Sequence, residues 1–314
     1  MSARVRGRGS SAAGAPAGIV LALVAAGLLA AAGPARAWFE ESDVGSSAIG
    51  FARAYTAIAD DPSALYWNPA GLATLGRGEV ALTYSRPYSV PGLTSSYGSV
   101  ALPGGPGTAA ASWHHVAVAD ALHEDTYTLG AGREIYRGGG GVRVSLGAAL
   151  KIARLSFPTY PDPETGATVD FGSATKMAAD AGALVFVTPK ISLAAVVRNL
   201  GAPAFNLTGE EAGGTSLPVL WQLGAAYRWD RESTVAFDLR KATDGKAHVN
   251  LGAEIWFYES FAMRAGLTGS DAAGGISVKS RAFLVDLGFL TNQPLGISYR
   301  ASLRVPFGRK ESQP

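Results

Sequence analysis

Residues 248–258 read HVNLGAEIWFY. Val249, Leu251, Ala253, Ile255 and Phe257 fall on one phase of a two-residue repeat, and His248, Asn250, Gly252, Glu254 and Trp256 fall on the other. Successive side chains of a strand point to opposite faces, so this stretch predicts a strand with one apolar and one polar face. The repeat recurs on either side of it. In 141–154, Val142, Val144, Leu146, Ala148, Leu150 and Ile152 alternate with Arg143, Ser145, Gly147, Ala149, Lys151 and Ala153. In 260–268, Phe261, Met263, Ala265 and Leu267 alternate with Ala262, Arg264, Gly266 and Thr268. In 231–240, Val235, Phe237 and Leu239 alternate with Thr234, Ala236, Asp238 and Arg240.

About fourteen such segments follow Gly78: 79–88, 94–103, 107–117, 123–136, 141–154, 176–188, 190–199, 218–229, 231–240, 246–258, 260–268, 274–280, 281–290 and 295–307. Most have the roughly 9–11 residues with which a tilted strand crosses a bilayer. Connections after even-numbered strands are short, while those after odd-numbered strands include the long stretches 153–175 and 200–217. Membrane barrels show this asymmetry, with short periplasmic turns and longer outer loops. In the last segment, Ile297, Tyr299, Ala301, Leu303, Val305 and Phe307 share one face, and Ser298, Arg300, Ser302 and Arg304 share the other. An arginine on a lipid face costs about 2–4 kcal/mol near the midplane, so Arg300 and Arg304 are expected to face inward. The same phase argument assigns Arg143, Lys151, Asp238, Glu254 and Arg264 to the lumen. A soluble barrel alternates too, with its apolar face inward, and periodicity alone does not separate the two.

The N-terminus favours the membrane reading. Arg4, Arg6 and Arg8 precede an apolar run at 18–32, GIVLALVAAGLLAAA, and Ala35-Arg36-Ala37 forms a cleavage box. This pattern predicts a secretory signal over 1–37, removed between Ala37 and Trp38, because the run is short for a spanning helix. Loss of Arg4, Arg6, Arg8 and Arg36, with no acid among these residues, takes the formal net charge from +2 to −2. The basic balance therefore resides in the signal and gives no reason to expect a nucleic-acid partner. The absence of cysteine excludes disulfides and thiol chemistry. The rest of the chain, about 277 residues, suits one large barrel. The expected organisation is a signal at 1–37, an N-terminal lumenal segment at 38–77, a barrel at 78–307 and a tail at 308–314.

Residues 45–75, GSSAIGFARAYTAIADDPSALYWNPAGLATL, do not alternate. Asp61-Pro62 and Asn68-Pro69 each place a side-chain acceptor before a proline. An Asx residue at N-cap with Pro at N1 opens a helical turn, and the same pair also forms an ordinary Asx-Pro loop turn. A barrel of fourteen strands leaves a lumen too wide for wall side chains to fill, so this compact segment is the expected filling. Asp60 and Asp61 are expected to pair with inward arginines among Arg143, Arg264, Arg300 and Arg304.

The stretch 52–73, ARAYTAIADDPSALYWNPAGLA, resembles the N-terminal signature of PorV/PorQ-like outer-membrane proteins, whose wider relatives are the FadL-type transporters of hydrophobic compounds. The resemblance implies a bacterial outer-membrane barrel of fourteen strands with a lumenal hatch. Its motif residues here are Asp60, Asp61, Pro62, Asn68, Pro69, Ala70 and Gly71. The aromatic C-terminal strand, with Tyr299 and Phe307, resembles the assembly signal read by the barrel-assembly machinery. The implied function is transport of a hydrophobic small molecule, or help in exporting a protein. The alternative is a non-conducting barrel whose outer loops dock a secretion partner. Outer-membrane lipid and lipopolysaccharide are the expected surroundings.

No catalytic, cofactor or metal constellation emerges. Asp61 has a capping role, which argues against Asp60-Asp61 as paired catalytic acids. His114 and His115 point to opposite faces of one strand and cannot share a metal. Gly138 to Gly141 lack the Lys-Ser/Thr of a phosphate loop. Asp162, Glu164 and Asp170 read as a solvated acidic loop. His248 with inward serines carries no hydrolase motif. Trp229 and Tyr258, at strand ends, suit an interfacial girdle, and Trp256 suits the lumen.

Overall fold

The computed structural model describes residues 43–119, 121–161, 166, 168–169, 172–201, 204–205, 215–243, 245–293 and 295–308. The expected signal and its cleavage site, the acids of the loop after residue 161, and nearly all of the tail lie outside these residues.

Fourteen antiparallel strands form a closed barrel. They are β1 (Gly78–Arg86), β2 (Leu93–Gly104), β3 (Gly107–Val118), β4 (Leu122–Arg137), β5 (Arg143–Ser156), β6 (Ser173–Phe186) and β7 (Ile191–Leu200). The second half comprises β8 (Leu220–Arg228), β9 (Ser233–Ala242), β10 (Ala247–Phe257), β11 (Phe261–Thr268), β12 (Asp271–Lys279), β13 (Leu284–Asn292) and β14 (Gly296–Phe307). Each strand pairs with its neighbours in sequence, and β1 pairs with β14 from Gly78↔Phe307 to Arg86↔Tyr299, which removes both sheet edges.

The connections separate by end. At the end that holds the start of β1 and the finish of β14, no turn exceeds the five residues of 138–142. The opposite end carries 157–172 and 201–219. Each of these long loops holds a two-residue ribbon, Tyr160–Pro161 with Thr168–Val169 and Ala204–Phe205 with Thr215–Ser216. Several strand limits differ from the sequence reading. Residues 281–283 belong to the turn before β13, because Ser280 N–H bonds back to the Phe283 carbonyl at 2.8 Å and closes it. Strand β12 begins at Asp271, where the glycine-rich DAAGG shows no apolar alternation yet pairs from Thr268↔Asp271 onward. Strand β5 runs two residues further than expected and β6 begins three residues earlier, which shortens the loop between them.

The two faces differ as the alternation requires. Leu129, Leu150, Met177, Leu251, Leu267, Leu287 and Tyr299 are exposed on the outer wall. Ser298, Arg300 and Ser302 are buried on the inner face of β14, with Arg304 half-buried beside them. Leu155, Leu184, Gln222 and Asn250 are fully buried on the wall, but the largest fully buried side chains lie off it. Phe51, Leu65, Trp67 and Leu72 belong to the segment before β1, and they form the centre of the main apolar cluster.

Candidate functional site

Residues 43–77 lie within the barrel. They contain two short helices, α1 (Ser46–Gly50) and α2 (Ala64–Trp67), followed by a 3-10 helix at Pro69–Thr74. Asn68 caps the 3-10 helix: its Oδ1 accepts from Ala70 N–H at 3.0 Å, and Pro69 occupies the first position without forfeiting a bond. At Asp61-Pro62 the Asx turn and the helical turn coincide. Asp61 Oδ1 accepts from Ser63 N–H at 2.7 Å and from Ser63 Oγ at 2.5 Å, and Ala64 N–H bonds the Asp61 carbonyl at 2.9 Å. Helix α2 itself starts only at Ala64, so Pro62 lies in the lead-in rather than at the first helical position. Helix α1 has no side-chain cap and no charged residue, and nothing in its five residues announced it.

Apolar contacts hold the segment together. Trp67 packs edge-on to Tyr55 at 6.1 Å and donates from Nε1 to the Val44 carbonyl at 3.0 Å. Polar groups of the wall tie it down. Asp238 on β9 accepts from Tyr55 N–H at 3.0 Å, Thr56 N–H at 2.9 Å and Thr56 Oγ1 at 2.5 Å through one carboxylate oxygen. Ser192 on β7 donates to the Ala57 carbonyl at 2.9 Å. Asn68 Nδ2 donates to Thr56 O at 2.9 Å and to Ala183 O on β6 at 3.3 Å. On the far side Ser302 Oγ accepts from Ser46 N–H and meets Ser46 Oγ, both at 2.9 Å.

The wall meets the segment with glycine. A Cβ placed on Gly147 would fall 2.2 Å from the carbonyl carbon of Pro69, and one on Gly182 would fall 2.2 Å from Asn68 Oδ1. Gly132, Gly224, Gly252, Gly266 and Gly288 meet segment backbone in the same way. These glycines stand opposite one another across strands, as in Gly132↔Gly147↔Gly182 and Gly252↔Gly266. They form a seat that receives mostly main chain, with the Asn68 side chain laid against Gly182. The signal for this seat was present as glycine on the polar phase of strand after strand, and phase alone did not reveal what it receives.

The sequence-selected charges all face inward, and they divide between the two ends. Towards the short turns, Arg304 Nη1 meets Asp61 at 3.1 Å and Arg304 Nε meets Asp286 at 3.4 Å. Arg264 joins Glu254 at 2.6 Å and Asp286 at 3.2 Å, and it also donates to Ser277. Arg143 stands over the Phe186 ring at 4.1 Å and near Glu134 at 3.9 Å. Towards the long loops, Lys151 pairs with Asp180 at 2.6 Å, and Arg198 covers the Tyr66 ring at 3.8 Å. Buried Arg300 leaves Nε and Nη1 without a hydrogen-bond partner among the described residues. Asp43 meets Arg53 at 2.5 Å and Arg240 at 3.8 Å. Burial pushes its carboxyl up, but Arg53, Arg240 and Arg300 outweigh this and hold it below the ordinary value. Of the four arginines expected to pair with the two aspartates, Arg304 takes Asp61. Asp60 lines an open cavity instead and has no ion pair among the described residues. Trp256 lines that cavity too, as does Trp229, and Trp229 and Tyr258 are both exposed at the short-turn end. His114 is buried against Ser95 at 2.9 Å, and His115 meets Asp125 on the other face of the wall.

Replacing Asn68 tests how far this one side chain secures the segment. Asn68→Ala removes the cap and two further bonds. A lost cap costs about 0.5–2 kcal/mol, and the expected outcome is faster amide exchange at Ala70 and Gly71 with β10 unchanged. Asn68→Asp keeps the acceptor but loses both donated bonds, so Ala70 is expected to stay protected while Asn68's contact with β6 is released. Hydrogen-exchange mass spectrometry reads both outcomes.

No protein-family model matches the sequence, and no curated protein matches it. Solved structures match in fold. The CymD monoaromatic hydrocarbon channel is similar with a TM-score of 0.62 at 13% identity, over 87% of this chain and 100% of that one. The toluene transporter TodX of P. putida is similar with a TM-score of 0.55 at 9% identity, over 79% of this chain and 94% of that one. At such identities the likeness is one of architecture.

Proposed function

We propose that this chain is a bacterial outer-membrane barrel that passes a hydrophobic small molecule, with residues 43–77 as its hatch. The observation that carries the reading is the fit of that segment to its seat. The lumen is closed by main chain resting on wall glycines and held by a few polar ties, an arrangement that can open when the ties are released. The architecture shared with channels described for toluene and monoaromatic hydrocarbons supports the substrate class. The exported-protein alternative rests on the motif resemblance alone. In this reading the outer wall contacts membrane lipid and lipopolysaccharide, and β14, ending at Phe307, is offered to the barrel-assembly machinery.

The lipid-facing wall gives a direct expectation. Leu287→Arg, on the outer face of β13, should lower barrel stability by about 2–4 kcal/mol if that face meets hydrocarbon. Urea unfolding in lipid vesicles measures it, and an unchanged midpoint would count against a membrane-embedded wall.

Because the chain has no cysteine, a single engineered pair reports on the hatch without interference. Ser46 and Ser302 already touch through their hydroxyls. In proteoliposomes, uptake of labelled toluene by the Ser46→Cys, Ser302→Cys protein should stop when the pair is oxidised and return on reduction. Equal uptake in both states would mean that the segment is a fixed filling.

A further inference from the structure

Beneath the hatch, at the short-turn end, the lumen widens into a cavity of about 790 Å³. Among the described residues, seven basic side chains line it against four acidic ones. Some of this charge is already committed: Arg264 and Arg304 belong to the ion pairs described above, and Asp230 accepts from Glu232 and Ser233 N–H within its own turn. Arg228 is different. It projects inward from the end of β8, and its Nη1 is buried with no hydrogen-bond partner among the described residues. Arg228 itself lines the cavity and is only half-buried, so the side chain stays open to a ligand there, and a carboxylate is the group that suits a guanidinium.

The cavity also presents an aromatic wall. Trp256 lines it from β10, two strands from Arg228 through the pairs Arg228↔Thr234 and Thr234↔Glu254. Two strand spacings and the two-residue step from Glu254 to Trp256 put these positions roughly 12 Å apart, a gap that the two side chains and a small aromatic acid span together. On the other side of Trp256, Lys279 holds its ammonium 5.5 Å from the ring centroid and adds positive potential. A neutral hydrocarbon would use the ring and gain nothing from the cations. Inorganic phosphate would use the cations and gain nothing from the ring. The volume lies in the range of small-molecule sites.

We propose that this vestibule binds an aromatic carboxylate, with Arg228 receiving the carboxylate and Trp256 stacking on the ring. The inference rests on the barrel reading but not on passage, because binding is measured on purified protein in detergent. Benzoate, toluene and inorganic phosphate are titrated by calorimetry against the full chain. Benzoate should bind saturably, and toluene and phosphate should bind at least about tenfold more weakly. Arg228→Gln should weaken benzoate by about tenfold or more, and Trp256→Leu should weaken it as well, while outward-facing Arg154→Gln leaves it unchanged. Heat-modifiable migration shows that each variant remains a closed barrel. Unchanged benzoate affinity in Arg228→Gln, or toluene or phosphate binding as tightly as benzoate, would overturn the assignment. Toluene uptake through the hatch is a separate readout, so failure of either experiment leaves the other standing.

Discussion

Gly147→Val converts the closed barrel into a conducting one. The added Cβ would lie 2.2 Å from Pro69 C, 2.3 Å from Ala70 N and 2.5 Å from Pro69 O, all main-chain atoms with no rotamer to escape through. Either the wall or the hatch must move. The wall is the stiffer body, because β5 is hydrogen-bonded along its length to β4 and β6. The segment at this point is a short 3-10 helix of six residues, so overpacking that costs about 1–3 kcal/mol or more falls on its seating. Single-channel recording in planar bilayers should show a persistent conductance in Gly147→Val and a closed baseline in the parent. Ala148→Val, one residue on and facing outward, is the matched control and should behave as the parent. A closed Gly147→Val barrel with its fold intact would mean that the segment is not what blocks the lumen.

Asp238→Ala should free the middle of the hatch. Its carboxylate accepts three hydrogen bonds from Tyr55 and Thr56, and the site is fully buried. Truncation leaves two backbone N–H groups without acceptors, at about 1–3 kcal/mol each. The sum is a large share of the roughly 5–15 kcal/mol that holds an ordinary domain folded. Loss of these bonds loosens residues 53–57, and Arg53 becomes a trypsin site. Limited proteolysis of the folded barrel should therefore cut after Arg53 quickly in Asp238→Ala and slowly in the parent. Asp238→Asn, which keeps one acceptor oxygen, should lie between them. Equal protection in all three proteins would show that the segment is held by packing alone.

The strand architecture was legible because two-residue periodicity reports a face directly, and because arginines on one phase of β14 fixed which face is inside. Strand ends were less legible. Gly274 and Gly275 in β12 carry no side chain to mark a phase, and the turn before β13 is closed by backbone bonds that leave no pattern. The Asx-Pro devices at Asp61 and Asn68 could be seen as turns, since capping is a local property. Their partners could not be seen. Asp61 meets Arg304 across most of the chain's length, and nothing local distinguishes that arginine from Arg143, Arg264 or Arg300. Helix α1 was hidden for a related reason: it is held by contacts with β12 and β13 rather than by propensity or caps. The glycine seat was written in the sequence, but only the curvature of the closed sheet brings those positions onto one surface.

The bonds between hatch and β14 also constrain the order of assembly. Ser46 meets Ser302 across a sequence separation of 256, and Asp61 meets Arg304 across 243. Both residues of β14 lie on the strand that closes the seam with β1. These contacts cannot form until the last strand arrives, whereas those to Asp238, Ser192 and Ala183 need only the middle of the chain. Closure around an empty lumen would require residues 43–77 to thread in afterwards, although they lead directly into β1. The sheet therefore wraps around its own first segment. Completing the seam and completing the bonds between the first segment and the wall therefore depend on the same strand.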